Sequence, residues 1–360
     1  MVYFPNTFRP LRLGARGLLA AACVAGCCRA VWPATAPEND PDTPACTNYN
    51  LGSIELSLPN IVLRRIQQIP SAEGHAAAAF LRAHPNMRLM VSFTDKARAA
   101  RFGRETSPEF MTMSYNSQAD GYSINHRYLH IDGGDENTFI RSPKVQQAFT
   151  DSIASAFVHE TSHARMRKDR PIEPPLIEDE LVAYYREVIF LLDAVKAMPN
   201  FDRLPECLQD KLNRAKTHAP PAAACTRERR GMLSLLGKLA AANTPFEGAV
   251  RKLYPFVFSL DSDPKKEIRV IDERDAKGRK DMAAGLASKD SWEPGTFPAD
   301  YEAEYQDLFV LDAQIRAFWA VPATLAKTKA DYGALLKELR AETDRRRAAG
   351  EMKFLLTPAG

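Results

Sequence analysis

Phe157-Val158-His159-Glu160-Thr161-Ser162-His163 is an HExxH stretch within a segment, 143–168, whose apolar spacing predicts a helix. Positions four apart lie on one face of a helix, so His159 and His163 can direct both imidazoles at one metal ion. Glu160 lies about 100° further round the helix and can take a proton from a water molecule at that metal. We therefore predict a Zn²⁺ site with His159 and His163 as ligands and Glu160 as general base.

A catalytic zinc ion usually has three protein ligands, so a third is expected later in the chain. Asp169 lies six residues after His163, a spacing that resembles the metzincins. Those families place glycine where Met166 stands, because the helix ends there in a left-handed turn that a bulky side chain resists. Met166 therefore argues against Asp169 as the ligand.

The better candidate is on the next helix. Three prolines between 169 and 175 end the first helix, and the apolar residues from Leu176 to about Met198 predict a second one. Glu180 and Ala183 form an E-x-x-A pattern near its start. An HExxH helix, a short linker and E-x-x-A on a following helix resemble the gluzincin peptidases, over about residues 87–198. The resemblance implies that Glu180 is the third zinc ligand and that the chain hydrolyses a peptide or protein substrate.

Three other residues of this second helix compete for roles at the site. Glu178 lies in the first turn, where the helix dipole also favours an acid. Glu187 lies two turns after Glu180 on the same face, where it can support a ligand or pair with an arginine. Tyr184, four residues after Glu180, can donate to a developing oxyanion or simply pack on a neighbouring helix.

Alternating apolar residues predict strands at 87–93, 110–115, 121–124 and 127–131, directly before the HExxH helix. Zincins use this arrangement, and the resemblance implies an edge strand that pairs with an extended peptide. Three further histidines have either a structural role or a role as hydrogen-bond donor in catalysis: His126, His130 and His218.

After residue 199, apolar residues at three-to-four spacing predict mainly helices, whereas the mixed-charge segment 261–298 predicts a long loop. We therefore predict an α+β fold. Residues 51–198 are expected to form a zincin-like metal-binding lobe with a small mixed sheet and the HExxH helix. Residues 199–360 are expected to form a mainly helical C-terminal lobe.

The amino terminus predicts export. Residues 1–26 contain three arginines, no acid and a ten-residue apolar run that is too short to span a bilayer. The run ends in Val24-Ala25-Gly26-Cys27, which resembles the bacterial lipobox and implies a lipid on Cys27. Cleavage after Ala34-Thr35-Ala36 is the alternative, and it would release a soluble periplasmic or secreted protein. The proline-rich segment 27–50 predicts a tether to the membrane of the cell envelope.

The net charge limits the kinds of partner that we expect, and the cysteines suggest a disulfide. The formal net charge of +3 equals the number of arginines in the predicted signal, so the processed chain has no basic excess. We therefore expect no nucleic-acid partner and no membrane contact beyond the lipid anchor. Export makes a disulfide between Cys207 and Cys225 a reasonable expectation.

The sequence supports one leading function and two alternatives. The leading one is a zinc metallopeptidase in which Glu160 activates a water molecule at the metal. The first alternative is a non-catalytic, zincin-like envelope lipoprotein used for binding or assembly. The second is a zinc hydrolase that acts on a non-peptide amide or ester.

Overall fold

The computed structural model describes residues 51–84, 88–92, 113–116, 121–125, 143–168, 170, 174, 176–197, 227–254, 257–287, 309–310 and 312–356. The helices are α1 (Leu51–Gln68), α2 (Ala72–Ala83), α3 (Pro143–Arg167), α4 (Ile177–Ala197), α5 (Arg227–Ala241), α6 (Asn243–Leu253), α7 (Pro264–Ala287), α8 (Pro322–Ala348) and α9 (Lys353–Leu356). Residues 312–319 are also helical. The strands are β1 (Arg88–Ser92), β2 (Met113–Asn116) and β3 (Gly121–Asn125).

The predicted α+β class is wrong. Helix accounts for 85% of the residues whose side chains are described. The three strands have only five, four and five residues. Long helices, with apolar residues at three-to-four spacing, come before and after these short strands in the sequence. Helix packing therefore determines the class, and the fold is mainly α.

The strands form one small sheet in the order β1-β3-β2, with β1 parallel and β2 antiparallel to β3. The sheet meets α3 through Tyr122 of β3. The Tyr122 ring packs against Phe157 with ring centroids 5.3 Å apart, and the Tyr122 hydroxyl lies 3.0 Å from the Thr161 hydroxyl. The sheet thus contacts α3 at the HExxH stretch.

The core is built around α4, which packs along α3 on one side and contacts α6 and α8 on another. Every residue of α4 from Ile177 to Leu192 is buried except Tyr184. On the far side, α2 approaches α4 closely at Gly74, where a Cβ atom would lie 2.9 Å from the Phe190 ring. A helix buried on nearly all faces must pair its charged side chains within the protein, and α4 does so at Glu178, Asp179, Arg186 and Glu187.

The predicted loop at 261–298 is wrong over α7. Asp263 caps this helix by accepting a hydrogen bond from the Lys265 backbone N–H at 3.1 Å, and Pro264 takes the first helical position. Ile271 is fully buried, while Arg316 of the 312–319 helix pairs with Asp275 at 2.7 Å. The segment is helical despite its polarity because its first turn is capped, and because the buried Ile271 and the pair of Asp275 with Arg316 attach it to the rest of the fold.

The helix that carries the HExxH stretch and the helix after it differ from their predictions by at most one residue at each end. The predicted helices at 143–168 and 176–198 correspond to α3 and α4. Within the described ranges, no helix is both long enough and apolar enough to cross a bilayer. Several predictions fall outside the described residues: the signal, the tether, the lipidated Cys27, the Cys207–Cys225 disulfide, Asp169, His126, His130 and His218.

Candidate metal centre

The three predicted metal ligands meet in one buried cluster. The Nε2 atoms of His159 and His163 are 3.2 Å apart. The Oε2 atom of Glu180 lies 3.6 Å from the first and 3.7 Å from the second. All three side chains are buried, with relative exposures of 7%, 6% and 5%. Helix α3 thus supplies two nitrogen atoms and α4 supplies one oxygen atom, and together they form a near-regular triangle.

The triangle has the dimensions of a metal site. Ligand atoms that bind one tetrahedral transition-metal ion at about 2.0–2.2 Å are themselves about 3.3–3.6 Å apart. The Glu180 Oε2 atom is buried and has no hydrogen-bond partner among the described residues. A buried carboxylate oxygen is costly unless it is paired, and a cation at the triangle would satisfy it. The residues therefore fit a divalent ion that prefers imidazole and carboxylate ligands.

Each histidine is oriented by a second carboxylate from α4. His159 Nδ1 donates to Glu187 Oε2 at 3.0 Å, and His163 Nδ1 donates to Asp179 Oδ2 at 2.8 Å. A proton on Nδ1 leaves the lone pair on Nε2, which is the nitrogen that faces the triangle. One helix therefore provides the third ligand and both of the groups that orient the other two.

The orienting carboxylates are themselves held in place. The Ser155 hydroxyl donates to Glu187 Oε1 at 3.0 Å, and Arg167 Nε donates to Asp179 Oδ2 at 2.9 Å. Both donors lie on α3, the helix that also carries the histidines. Helix α3 thus donates all four of these hydrogen bonds, and carboxylates of α4 accept them.

The two middle residues of the HExxH stretch are also fixed by their neighbours. Thr161 contacts the Tyr122 hydroxyl of β3, as described above. The Ser162 hydroxyl accepts a hydrogen bond from Arg186 Nη1 of α4 at 2.9 Å. The Nε atom of Arg186 in turn lies 3.5 Å from Glu73 Oε2 of α2. The stretch is therefore held on the faces that point away from the ligands.

The start of α4 is held by the C-terminal half of the chain. The Ile177 backbone N–H donates to the Phe258 carbonyl at 2.7 Å. Glu178 accepts from the Leu260 backbone N–H at 3.1 Å and from the Ser259 hydroxyl at 3.0 Å. Glu178, one of the acids that the sequence offered as a third ligand, therefore binds the segment 257–260 instead. Glu187 binds the Nδ1 atom of His159 and lies outside the triangle.

The pKa values reflect an excess of negative charge. Burial alone would lower the pKa of His159, but its contacts with Glu180 and Glu187 outweigh burial and raise that pKa well above its usual value. The pKa of His163 is raised in the same way by Asp179 and Glu180. Burial opposes ionisation of Asp179, yet the neighbouring His163 and Arg167 hold its pKa below the usual range. Without a metal the site favours added protons, and the same negative charge favours a divalent cation.

Glu160 and Tyr184 lie beside the triangle. Glu160 is buried, and its charge contributes to raising the pKa of both His159 and Tyr184. The Tyr184 ring meets the His159 ring edge-on, with centroids 4.6 Å apart, and its hydroxyl lies 3.1 Å from the Tyr254 hydroxyl. Partial burial of its side chain, with the carboxylates of Glu180, Glu187 and Glu160 nearby, raises the pKa of Tyr184.

Sequence reasoning missed Asp179 and Tyr254. Asp179 stands between two other acids at a helix start, where the helix dipole explains an acid without any specific role. Tyr254 is 70 residues from Tyr184 along the chain. No local spacing could have indicated their contact, which depends on how α6 packs against α4.

The cluster can bind a divalent cation, and the carboxyl group of Glu160 lies beside it. No family model, no curated protein and no solved structure matches the chain.

Proposed function

We propose that the protein is a zinc-dependent metallopeptidase with a gluzincin-type ligand set of His159, His163 and Glu180. The observation on which this proposal depends is the triangle of ligand atoms, whose three separations lie between 3.2 and 3.7 Å. It is reinforced by the unpaired Glu180 oxygen and by the carboxylate on each Nδ1 atom.

A catalytic role is favoured over a purely structural one by the number of ligands. Structural zinc sites are closed by four protein ligands, whereas catalytic sites have three and one open position. Among the described residues, the cluster contains His159, His163 and Glu180 and no fourth histidine, cysteine or acid. Three ligands are the number that catalytic zinc sites have.

The residues around the triangle divide the chemical work. Bound Zn²⁺ would polarise the scissile carbonyl and lower the pKa of a water molecule towards 7. Glu160 accepts the proton from the attacking water and then delivers it to the leaving amine. Glu187 and Asp179 keep the imidazoles in the tautomer whose Nε2 lone pairs face the triangle. Burial strengthens each of these electrostatic interactions.

We also propose that the protein is exported and attached to the bacterial envelope by a lipid on Cys27, so that the enzyme faces the periplasm. The support is the basic start, the short apolar run and the lipobox-like ending at Cys27. The structure contributes only the finding that none of the described helices qualifies as a membrane span.

The decisive experiment measures metal content and peptide cleavage on the same preparations. We expect one zinc per chain in the wild type and in Glu160→Gln, with cleavage of a mixed peptide library reduced by about 10²- to 10⁴-fold in the variant because the general base is lost. We expect Glu180→Ala to lose zinc. Glu247→Gln is the matched control, since Glu247 is paired with Arg340 and Tyr185 away from the triangle.

Two outcomes would contradict the proposal. Cleavage at the wild-type rate by zinc-loaded Glu160→Gln would remove the general base from the mechanism. A wild-type chain that takes up no metal at neutral pH with zinc supplied would favour the non-catalytic envelope lipoprotein instead.

A further inference from the structure

The first turn of α4 carries two groups of the candidate metal centre. Asp179 accepts from the Nδ1 atom of His163 at 2.8 Å, and Glu180 lies 3.6 and 3.7 Å from the two histidine Nε2 atoms. Consecutive side chains on a helix are about 100° apart, so both acids meet their partners only at one rotation of this turn about the helix axis. Helix ends fray, because their terminal N–H groups have no partner within the helix. Contacts from outside α4 are therefore needed to hold that rotation.

Glu178, the residue before Asp179, makes such contacts with both of its carboxylate oxygens. Oε1 accepts from the Ser259 hydroxyl at 3.0 Å, and Oε2 accepts from the Leu260 backbone N–H at 3.1 Å. Arg251 adds an ion pair with Oε1 at 3.8 Å. Glu178 is buried, with a relative exposure of 5%. Hydrogen bonds to both oxygens fix the plane of the carboxylate as well as its position, so they oppose rotation of the turn.

The backbone of the segment 257–260 holds the same turn at a second point. The Phe258 carbonyl accepts from the Ile177 N–H at 2.7 Å, and Phe258 pairs with Leu176 in a short parallel β-bridge. The Leu176 carbonyl accepts in turn from the N–H groups of Asp179 and Glu180, both at 3.2 Å. The segment is therefore bonded to the backbone that carries both acids of the site.

The segment 257–260 is itself anchored in the C-terminal half of the chain. Phe258 and Leu260 are buried, and the Phe258 ring lies 6.4 Å from the Trp319 ring, measured between centroids. The next residue, Asp261, pairs with Lys329 of α8 at 2.7 Å. These contacts do not involve Glu178. The segment can therefore act as a fixed point for the start of α4.

We propose that Glu178 is a positioning residue for the metal: its carboxylate, bound to the segment 257–260, sets the rotation of the first turn of α4 at which Glu180 and Asp179 meet the histidines. The inference rests on the metal site of the proposed function and does not depend on peptide cleavage. The coupling is reciprocal, because whatever binding of the segment adds to zinc affinity, zinc binding adds to the stability of the bound segment.

A contact that only stabilises the fold predicts a different pattern. Loss of Glu178 would then lower the free energy of unfolding and leave zinc affinity unchanged. Glu247 is the matched control, because it also joins α4 to the C-terminal half, accepting from Tyr185 at 2.8 Å and from Arg340 at 2.6 Å away from the first turn. Glu178→Gln is the conservative variant, since an amide can accept from the Leu260 N–H and donate to the Ser259 oxygen.

The test measures zinc affinity and stability on the full chain. Competition with a chromophoric chelator gives zinc dissociation constants for the wild type and five variants: Glu178→Ala, Glu178→Gln, Ser259→Ala, the double variant Glu178→Ala/Ser259→Ala, and Glu247→Ala. Urea unfolding of the zinc-free proteins gives their stabilities. Hydrogen exchange of the backbone amides of 257–260, with and without zinc, reports how firmly the segment is bound.

We expect Glu178→Ala to weaken zinc binding by about 10- to 100-fold, the range for loss of a group that orients a metal ligand. Glu178→Gln should bind zinc like the wild type. Ser259→Ala should show a smaller loss and should add nothing in the Glu178→Ala background. Glu247→Ala should lose stability but keep the wild-type zinc affinity. Zinc should slow exchange of the 257–260 amides in the wild type, and it should slow them less in Glu178→Ala.

Wild-type zinc affinity in Glu178→Ala would overturn the inference. Equal weakening in Glu247→Ala at a matched loss of stability would also overturn it, because zinc affinity would then follow stability alone. If Glu178→Ala does not fold, Ser259→Ala decides: wild-type zinc affinity there, with amide exchange at 257–260 that zinc leaves unchanged, contradicts the positioning role. The expected pattern in a chain that cleaves no peptide overturns only the peptidase proposal, whereas a wild type that binds no zinc overturns both.

Discussion

Three consecutive acids begin α4, and each has a different partner. Glu178 binds the segment 259–260, Asp179 orients His163, and Glu180 points its Oε2 atom at both Nε2 atoms. Successive side chains on a helix are about 100° apart, so these neighbours face different surroundings. The division of roles among three chemically similar residues is therefore a consequence of helix geometry.

The carboxylates on the two Nδ1 atoms should control metal affinity without touching the metal. We expect Asp179→Asn and Glu187→Gln each to weaken zinc binding by about 10- to 100-fold, because an amide orients the imidazole less firmly and does not strengthen it as a ligand. Competition with a chromophoric chelator measures the affinity. Asp193→Asn is the control, since Asp193 lies on the same helix but pairs with Arg346. Unchanged zinc affinity in both site variants would contradict the orienting role.

At this scale, sequence reasoning succeeded where the information was local. His159 and His163 are four apart on one helix, so their convergence follows from helix geometry alone. Glu180 was indicated by a motif that extends over a short linker. Asp179 was not identified, because the 2.8 Å contact between Asp179 and His163 depends on how α3 and α4 cross, and no spacing along the chain encodes that angle.

At the scale of elements, the position of α4 depends on a close approach by α2. A Cβ atom on Gly74 would lie 2.9 Å from the Phe190 ring and 3.2 Å from Ile66, and both of these side chains are fully buried. Neither neighbour can move without disturbing the core. Glycine at this position therefore reflects packing density between helices rather than backbone conformation.

We expect Gly74→Ala to lower the free energy of unfolding by about 1–3 kcal/mol, the usual cost of overpacking a core. Gly237→Ala is the matched control, because a Cβ atom there meets nothing within 4 Å and alanine is the better helix former by up to about 1 kcal/mol. Urea unfolding followed by circular dichroism gives both values. A Gly74→Ala protein as stable as Gly237→Ala would show that α2 and α4 are further apart than described.

Element type was predictable for the long helices and the short strands, but it was wrong for the segment 264–287. Periodic apolar residues identified α3, α4 and α8 because burial of one face imposes that period. The polar segment 264–287 lacks this signal, and its helix is stabilised by the Asp263 cap and by contacts such as Arg316 with Asp275. The predicted fold class gave too much weight to the short alternating segments. Alternation over four or five residues predicts a strand, but it does not predict how much of the fold is sheet.

At the scale of the whole molecule, the cluster of His159, His163 and Glu180 depends on both halves of the chain. Buried apolar residues from Val62 to Leu355 form one continuous cluster. Helix α4 contacts α8 through the pair of Asp193 with Arg346, whose charged atoms lie 2.7 Å apart. Tyr185 reaches Glu247 of α6, which in turn binds Arg340 of α8. The helix that carries Glu180 is therefore buried partly by residues beyond 198.

This arrangement gives a prediction about the boundary at residue 198. A fragment of residues 51–198 keeps all three ligands, but it removes the Phe258 carbonyl that binds the start of α4 and uncovers the apolar face that α8 buries. We expect the fragment to unfold without a sharp urea transition and to bind zinc at least about 100-fold more weakly than residues 51–360, because binding would have to order α4 at the same time. Residues 51–360 are the control, since they lack only the predicted signal and tether. A fragment that unfolds cooperatively and binds one zinc with the affinity of the longer chain would show that the first lobe is independent, with the C-terminal helices serving substrate binding rather than assembly of the site.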